Sequence, residues 1–290
     1  MESVMAPTAA QLEKYERLLD ELRALGSAAV AFSSGVDSAF LLHAAREALG
    51  ANAIAITAIS ASFPVRERDE AREWCASRGV RQLEFMFDEM KVEGFAQNPP
   101  DRCYLCKRAL FGGIVDLAKR AGMAAVVEGS NLDDNRDYRP GMRAVAELGV
   151  LSPLRACGFS KADIRAMSRH LGLPTWKKQS FACLATRFPY GETIDARRLG
   201  MVDRAEQLLL DLGFHQVRVR VQGNSARIEL DRADFPRFMA DDVRLPVARA
   251  FKEIGFDYAS LDLFGYRTGS MNETLPPEEL AKGVHEGMGE

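Results

Sequence analysis

Histidine is scarce in this 290-residue chain, and cysteine occurs an odd number of times: there are four histidines and five cysteines. His43, His170, His215 and His285 have no metal-ligand spacing, so nothing points to a histidine-built zinc site. Five cysteines cannot all pair, and Met1–Ala10 lacks the basic start and apolar core of a signal peptide. A reducing, cytoplasmic setting is therefore expected rather than a disulfide framework. No apolar run is long enough to span a bilayer, so no membrane partner is expected. Basic charge is also missing: the net charge of −3 gives no overall footprint for nucleic acid, which argues against a large RNA substrate while leaving room for a local basic face. No low-complexity block interrupts the chain, and its length suffices for two domains.

What is present alternates regularly. An amphipathic helix is expected over residues 11–25 (Leu12, Tyr15, Leu18, Leu19, Leu22). Apolar strands are expected at 27–33, 53–60, 82–88, 124–129 and 150–154, with helices near 37–49, 65–77, 104–121 and 160–172. Near-continuous apolar strands alternating with helices predict an α/β fold with a parallel sheet covered on both faces. Residues 173–194 break the pattern, and the aromatics Trp176, Phe181, Phe188 and Tyr190 mark this stretch as functional rather than disordered. A smaller α+β unit follows: helix 195–212, strands 216–221 and 225–230 joined through Gly223-Asn224, helices over 235–253 and a strand at 258–264. The expected division is 1–190, 191–270 and a polar tail 271–290, either flexible or held by a partner subunit.

The first strand runs into Ser33-Ser34-Gly35-Val36-Asp37-Ser38. A small-residue turn between strand and helix turns backbone N–H groups outward, where they and the helix dipole hold phosphate oxygens. The serine hydroxyls add donors, and Asp37 adds a carboxylate able to place Mg²⁺. This segment resembles the PP-loop, S-G-G-x-D-S, of the N-type ATP pyrophosphatases, with Ser34 at the usual second glycine. Serine tolerates the turn with φ negative or mildly left-handed. Gly129-Ser130-Asn131-Leu132-Asp133-Asp134 closes the fourth strand at the same sheet edge. It reads either as an Asx turn capping a helix or as a second nucleotide loop whose Asp133 and Asp134, with Glu128, bind Mg²⁺. Thr57–Ser60, ending the second strand, is the expected neighbour of adenine, with Ser60 in the ATP site beside Gly129 and Asn131.

Cys103-Tyr104-Leu105-Cys106 opens a helix between Arg102 and Lys107, where dipole and cations both favour thiolates. By itself this pair also fits redox chemistry or coincidence. Cys183, in the irregular stretch, is the natural third thiol. Three cysteines leave a tetrahedral zinc site one ligand short but suit a four-iron cluster with one open iron. Cys75 and Cys157 read as structural.

Taken together, Ser33–Ser38, Arg102–Lys107, Gly129–Asp134, Ser180–Gly191, Val217-Arg218-Val219-Arg220 and Leu261–Asn272 resemble the LarE-type ATP-dependent sulfur transferases over nearly the whole length. The resemblance implies synthesis of the nickel-pincer nucleotide, the lactate racemase cofactor. In that reaction the carboxylates of pyridinium-3,5-biscarboxylic acid mononucleotide become thiocarboxylates after adenylation by ATP with Mg²⁺. It implies two sulfur routes: Cys183 giving up its own sulfur, or a [4Fe-4S] cluster on Cys103, Cys106 and Cys183 passing on a bound sulfide. The three cysteines favour the second. Arg218 and Arg220 project to one sheet face and are assigned to the substrate 5′-phosphate, with Arg227, Glu206 and Glu229 as neighbours; cross-sheet salt bridging is the alternative. Lys177, Lys178 and Arg187 read either as phosphate-neutralising or as surface charges. A homo-oligomer and a sulfur donor protein are the implied partners. The rival readings are a PP-loop tRNA thiolase and a non-catalytic nucleotide or iron–sulfur sensor.

Overall fold

The structure, a computed structural model, describes residues 6–136, 141–179, 183–276 and 278. Ser180–Ala182 of the irregular motif, Met1–Met5 and most of the polar end, His285 included, lie outside the described residues. The chain enters through α1 (Ala9–Ala24), whose start is fixed by a capping box between Thr8 and Gln11. Tyr15, Leu18, Leu19 and Leu22 form its buried stripe. Full burial of each leucine contributes about 2 kcal/mol, so docking rather than helix propensity holds α1 in place.

The elements then run β1 (Ala28–Ala31), α2 (Val36–Leu49), β2 (Ala53–Ile59), α3 (Val65–Ser77), β3 (Gln82–Met86), α4 (Arg102–Arg120) and β4 (Ala125–Val127). The four strands form a wholly parallel sheet in the order β3-β2-β1-β4. Side chains alternate between its faces. Ala28, Val30, Ala53 and Ala55 pack with α1, α2 and Trp74 of α3, whereas Ala29, Ile54 and Ile56 pack with Phe111, Ile114 and Ala118 of α4. Both faces are covered, as the unbroken apolar strands predict.

After α5 (Gly141–Glu147), the strand expected at 150–154 shrinks to a single parallel bridge, Val127 to Leu151. Pro153 stops it: having no N–H and a fixed φ, it opens the short α6 (Pro153–Ala156) instead. α7 (Lys161–His170) follows, started by a Ser160–Asp163 capping box.

The smaller unit comprises α8 (Ala196–Asp211), β5 (Val217–Gln222), β6 (Ser225–Leu230), α9 (Phe235–Phe238), α10 (Asp241–Ile254) and β7 (Tyr258–Leu261). β5 and β6 form the expected hairpin through Gly223, whose φ of 57° suits glycine. β7 joins β6 in parallel, giving the order β5-β6-β7. Its core also takes in Phe95, Leu184, Ala185 and Phe188, so the segment after Cys183 is anchored in the second core. No helix among the described residues is long and apolar enough to cross a membrane.

Candidate active site

The carboxyl ends of β1, β2 and β4 open onto a cleft of about 530 Å³. The turn from β1 into α2 forms one wall. Gly35 is the N-cap in extended conformation (φ −68°, ψ 163°) and offers no side chain to the first amides of α2. Those amides have no partner within the helix, which leaves them for a ligand. Ser38 Oγ lies 3.3 Å from both the Ser33 N–H and the Ser33 hydroxyl and donates to the Gly35 carbonyl at 3.2 Å, closing the turn on itself. Ser33, Gly35, Val36, Asp37 and Ser38 all line the cleft. Ser34 does not. It takes a left-handed φ of 55° and is buried, its hydroxyl donating to the Glu67 carbonyl at 2.9 Å.

Asp37 faces the cleft from the first turn of α2. Its carboxylate accepts from Asn131 Nδ2 at 3.3 Å and from the Lys161 ammonium. Burial pushes its carboxyl above the usual range, Lys161 pulls it down, and the Asp134 charge adds to the rise. Gly129 lets the two nucleotide-loop candidates touch: a Cβ there would come within 3.1 Å of Ser38 N and 3.2 Å of Asp37 Cβ. Glu128, Gly129, Ser130 and Asp134 line the cleft. Asn131 and Asp133 are not part of that lining. Asn131 forms an Asx turn, its side chain accepting from Asp133 N at 2.9 Å, while Asp133 is exposed and accepts from Lys161 N at 2.7 Å. The Asx turn is therefore present, in a segment that also lines the cleft. Ser60 lines the cleft with Ala58, whereas Thr57 is buried behind it and donates to the Phe32 carbonyl at 2.9 Å.

Cys103, Cys106 and Cys183 line this same cleft. The first two sit at the start of α4; Cys183 precedes a short turn at Leu184–Arg187. Two buried side chains bind these segments together. Asn98 Nδ2 donates to the Pro189 carbonyl at 2.6 Å, and its oxygen accepts from Arg102. Arg102 also donates to the Ala185 carbonyl at 3.0 Å and reaches Cys103 Sγ at 3.5 Å. Dipole and cations favour thiolates in the C-x-x-C pair, but at Cys106, and at Cys183 beside it, burial prevails. It raises Cys106, with the Cys183 and Cys103 charges adding to the rise, and it raises Cys183 even though Arg102 and a Ser62 hydrogen bond oppose it. Cys183 is nonetheless exposed by surface area, so protein crowds its sulfur without sealing it off. Cys75, pushed up to about 12 by burial, and buried Cys157 fit structural roles.

No three His, Cys, Asp or Glu side chains among the described residues converge on a single-ion site. A cubane cluster makes a different demand, since its thiolates bind separate irons rather than converging on one ion, and they must border a common space. The three cysteines border one, with the Arg102 guanidinium against Cys103 to balance charge.

Arg218 and Arg220 lie outside the cleft lining. Arg220 makes a bidentate pair with Glu229 at 3.0 and 3.1 Å and reaches Thr186 O at 2.7 Å and Ser270 Oγ at 2.8 Å. Arg218 is buried over the Tyr266 ring, and burial together with the Arg187 guanidinium brings it down to about 10. Cross-sheet pairing is therefore present for Arg220, while Glu206, Glu229 and Arg227 are the expected neighbours. Arg187 is not a surface charge: it is 1% exposed and clamps Glu206 at 2.7 and 2.9 Å. Lys178 is likewise occupied, by Glu67 at 2.8 Å and by Glu70, whereas Lys177 is exposed. Glu67, Asn98 and Lys161 escaped the sequence reading. Of these only Lys161 left a signal, a cation at the start of a capped helix facing the sheet edge.

No family model matches the chain. It is 41% identical over 262 residues (90% of this chain, 98% of the relative) to the uncharacterized protein slr1717 of Synechocystis sp.. It is 37% identical over 269 residues (92% and 97%) to the pyridinium-3,5-bisthiocarboxylic acid mononucleotide synthase of Lactiplantibacillus plantarum. A third relative, the uncharacterized protein MJ0830 of Methanocaldococcus jannaschii, is 28% identical over 199 residues (68% and 77%).

Proposed function

The chain belongs to the LarE-type sulfur transferases, the family of the pyridinium-3,5-bisthiocarboxylic acid mononucleotide synthase, and from that membership we propose that it converts the carboxylates of pyridinium-3,5-biscarboxylic acid mononucleotide into thiocarboxylates at the expense of ATP. The observation that carries this reading is the shared cleft: Gly35 and Asp37 of the nucleotide loop line the same space as Cys103, Cys106 and Cys183. A carboxyl activated at one wall meets sulfur at the other without leaving.

The substrate carboxylate attacks the α-phosphate of ATP, forming an acyl-adenylate and releasing pyrophosphate. This step is needed because a carboxylate oxygen is a poor leaving group, whereas AMP departs readily. The amides of Gly35 and the first turn of α2 hold phosphate oxygens, with the Ser33 and Ser38 hydroxyls beside them. Asp37 and Asp134 are the carboxylates that would hold Mg²⁺, and Lys161 supplies a cation next to the leaving pyrophosphate. A sulfur nucleophile then adds to the acyl carbon and expels AMP, leaving a thiocarboxylate. Cys103, Cys106 and Cys183 would hold a [4Fe-4S] cluster, which when bound supplies an open iron able to carry sulfide. Arg102 keeps the two cysteine segments in register. Arg218 and Arg220, in a unit spanning 191–270 beside the catalytic unit 1–190, are assigned to the 5′-phosphate. Engaging it there requires Arg220 to exchange part of its pairing with Glu229. Assembly as a homo-oligomer and reloading by a sulfur donor protein complete the proposal, within the route to the nickel-pincer nucleotide.

The test is iron and acid-labile sulfide in protein purified without oxygen, beside Cys103→Ala, Cys106→Ala and Cys183→Ala. Cluster-level iron in the parent, lost in each variant, is the expected result. A parent that holds no cluster after reconstitution removes that route, and dehydroalanine at position 183 after turnover would then identify Cys183 as the sulfur source.

A further inference from the structure

Beside the nucleotide loop lies a largely buried polar junction, of whose members only Glu67 lines the cleft. Lys178 Nζ donates to the Ser34 carbonyl at 3.1 Å, to Ser34 Oγ at 3.2 Å, to Glu67 Oε2 at 2.8 Å and to Glu70. Ser34 Oγ passes the chain on, donating to the Glu67 carbonyl at 2.9 Å and reaching its carboxylate at 3.2 Å. Arg66 touches the other Glu67 oxygen only at 3.4 Å. Lys178 is therefore the main cation for a glutamate that is 4% exposed.

The junction closes on the one strained residue of the loop. Ser34 is held at φ 55°, a conformation a non-glycine residue rarely takes. In a trans peptide the carbonyl of one residue and the N–H of the next point in opposite directions. With the Ser34 carbonyl tied to Lys178, the Gly35 N–H points the opposite way, away from the ammonium, and Gly35 itself lines the cleft.

We propose that Lys178 is a positioning residue for the nucleotide loop. It fixes the left-handed turn at Ser34 that aims the Gly35 amide at phosphate. Because it lies in the same irregular segment as Cys183, it also ties the placement of the loop to the strand of chain that carries sulfur. The proposal rests on the reading that this loop binds ATP, and it explains why serine serves where the related loops have glycine: the hydroxyl is a member of the junction.

The experiment measures binding of α,β-methylene-ATP by calorimetry, together with KM and kcat for ATP. Lys178→Met should weaken binding by about tenfold or more, the size of a lost charged hydrogen-bond set, and raise KM more than it lowers kcat. Lys178→Arg should recover part of the affinity. Glycine enters the left-handed region without strain, so in a Ser34→Gly background the same Lys178→Met change should cost less than about threefold. Should Lys178→Met not fold, the loop itself decides: Ser34→Ala should weaken binding and Ser34→Gly should not.

The proposal is overturned if Lys178→Met lowers the melting temperature but binds nucleotide within about twofold of the parent. It is also overturned if the loss is equal in both backgrounds, or if Ser34→Ala and Ser34→Gly bind alike. A parent that binds the analogue yet makes no thiocarboxylate would sink the sulfur-transfer reading and leave this one standing. A parent that binds no nucleotide overturns both.

Discussion

Asp37 carries conflicting demands that a pH series can separate. Burial raises its carboxyl above the ordinary value of 3.8, with Lys161 only partly compensating. A carboxyl whose folded value is raised binds its proton more tightly in the native state. The native state therefore loses stability as pH climbs from 3.8 through the raised folded value, and the penalty is complete above it. Asp37→Asn removes that penalty, so at neutral pH the variant should melt higher than the parent. The gain should vanish in acid near the unfolded value. On the proposed reading the same change should lower pyrophosphate release by about 100-fold or more, because it deletes a carboxylate that would hold the Mg²⁺ neutralising the phosphates. Scanning calorimetry across pH and a pyrophosphate assay check the two halves separately. At this scale the loop residues Ser33–Ser38 and the cysteines were legible, since each lies within a short run of chemically distinctive neighbours. Glu67 was not, and Lys178 stood out only as a phosphate-neutralising or surface charge: they meet Ser34 from 33 and 144 positions away, and nothing local to either marks the meeting.

Among the elements, periodicity located most helices and strands to within a residue or two, because their burial patterns are one-sided or continuous. The failure at 150–154 is local in cause: an apolar run looked like a strand, and Pro153 converted it to a helix start after one bridge. α7 illustrates an element fixed by more than its own sequence. Its first-turn Asp163 closes the capping box with Ser160 and also accepts from Lys14 and Gln11 of α1. Burial pushes this carboxyl up, but those bonds prevail and hold it down to about 2. With the folded value depressed, the stabilisation is full above the ordinary 3.8 and is lost as pH falls through about 2. Asp163→Ala should cost about 1 kcal/mol near neutrality after allowance for solvent screening, and progressively less in strong acid. Urea unfolding at several pH values reads this directly.

For the molecule as a whole, the parallel sheet and the smaller α+β unit could be anticipated, but their interlocking could not. Phe95, Leu184, Ala185 and Phe188 belong to the second core, Cys106 packs against it, and Phe95, Cys106 and Cys183 also line the cleft at the strand ends of the parallel sheet. The Asn98–Arg102 bracket therefore ties the start of α4 to a segment whose apolar side chains sit in the second core. In the proposed reading one cleft serves two half-reactions, adenylation at the strand ends and sulfur transfer at the cysteines. The two should be separable by mutation. The most direct measurement is simultaneous quantification of pyrophosphate and thiocarboxylate from ATP and pyridinium-3,5-biscarboxylic acid mononucleotide in the parent, Cys183→Ala and Asp37→Asn. The account predicts both products in the parent, substrate-dependent pyrophosphate without thiocarboxylate in Cys183→Ala, and neither in Asp37→Asn. Thiocarboxylate formation that persists in Cys183→Ala, or a parent that releases no substrate-dependent pyrophosphate, would contradict it.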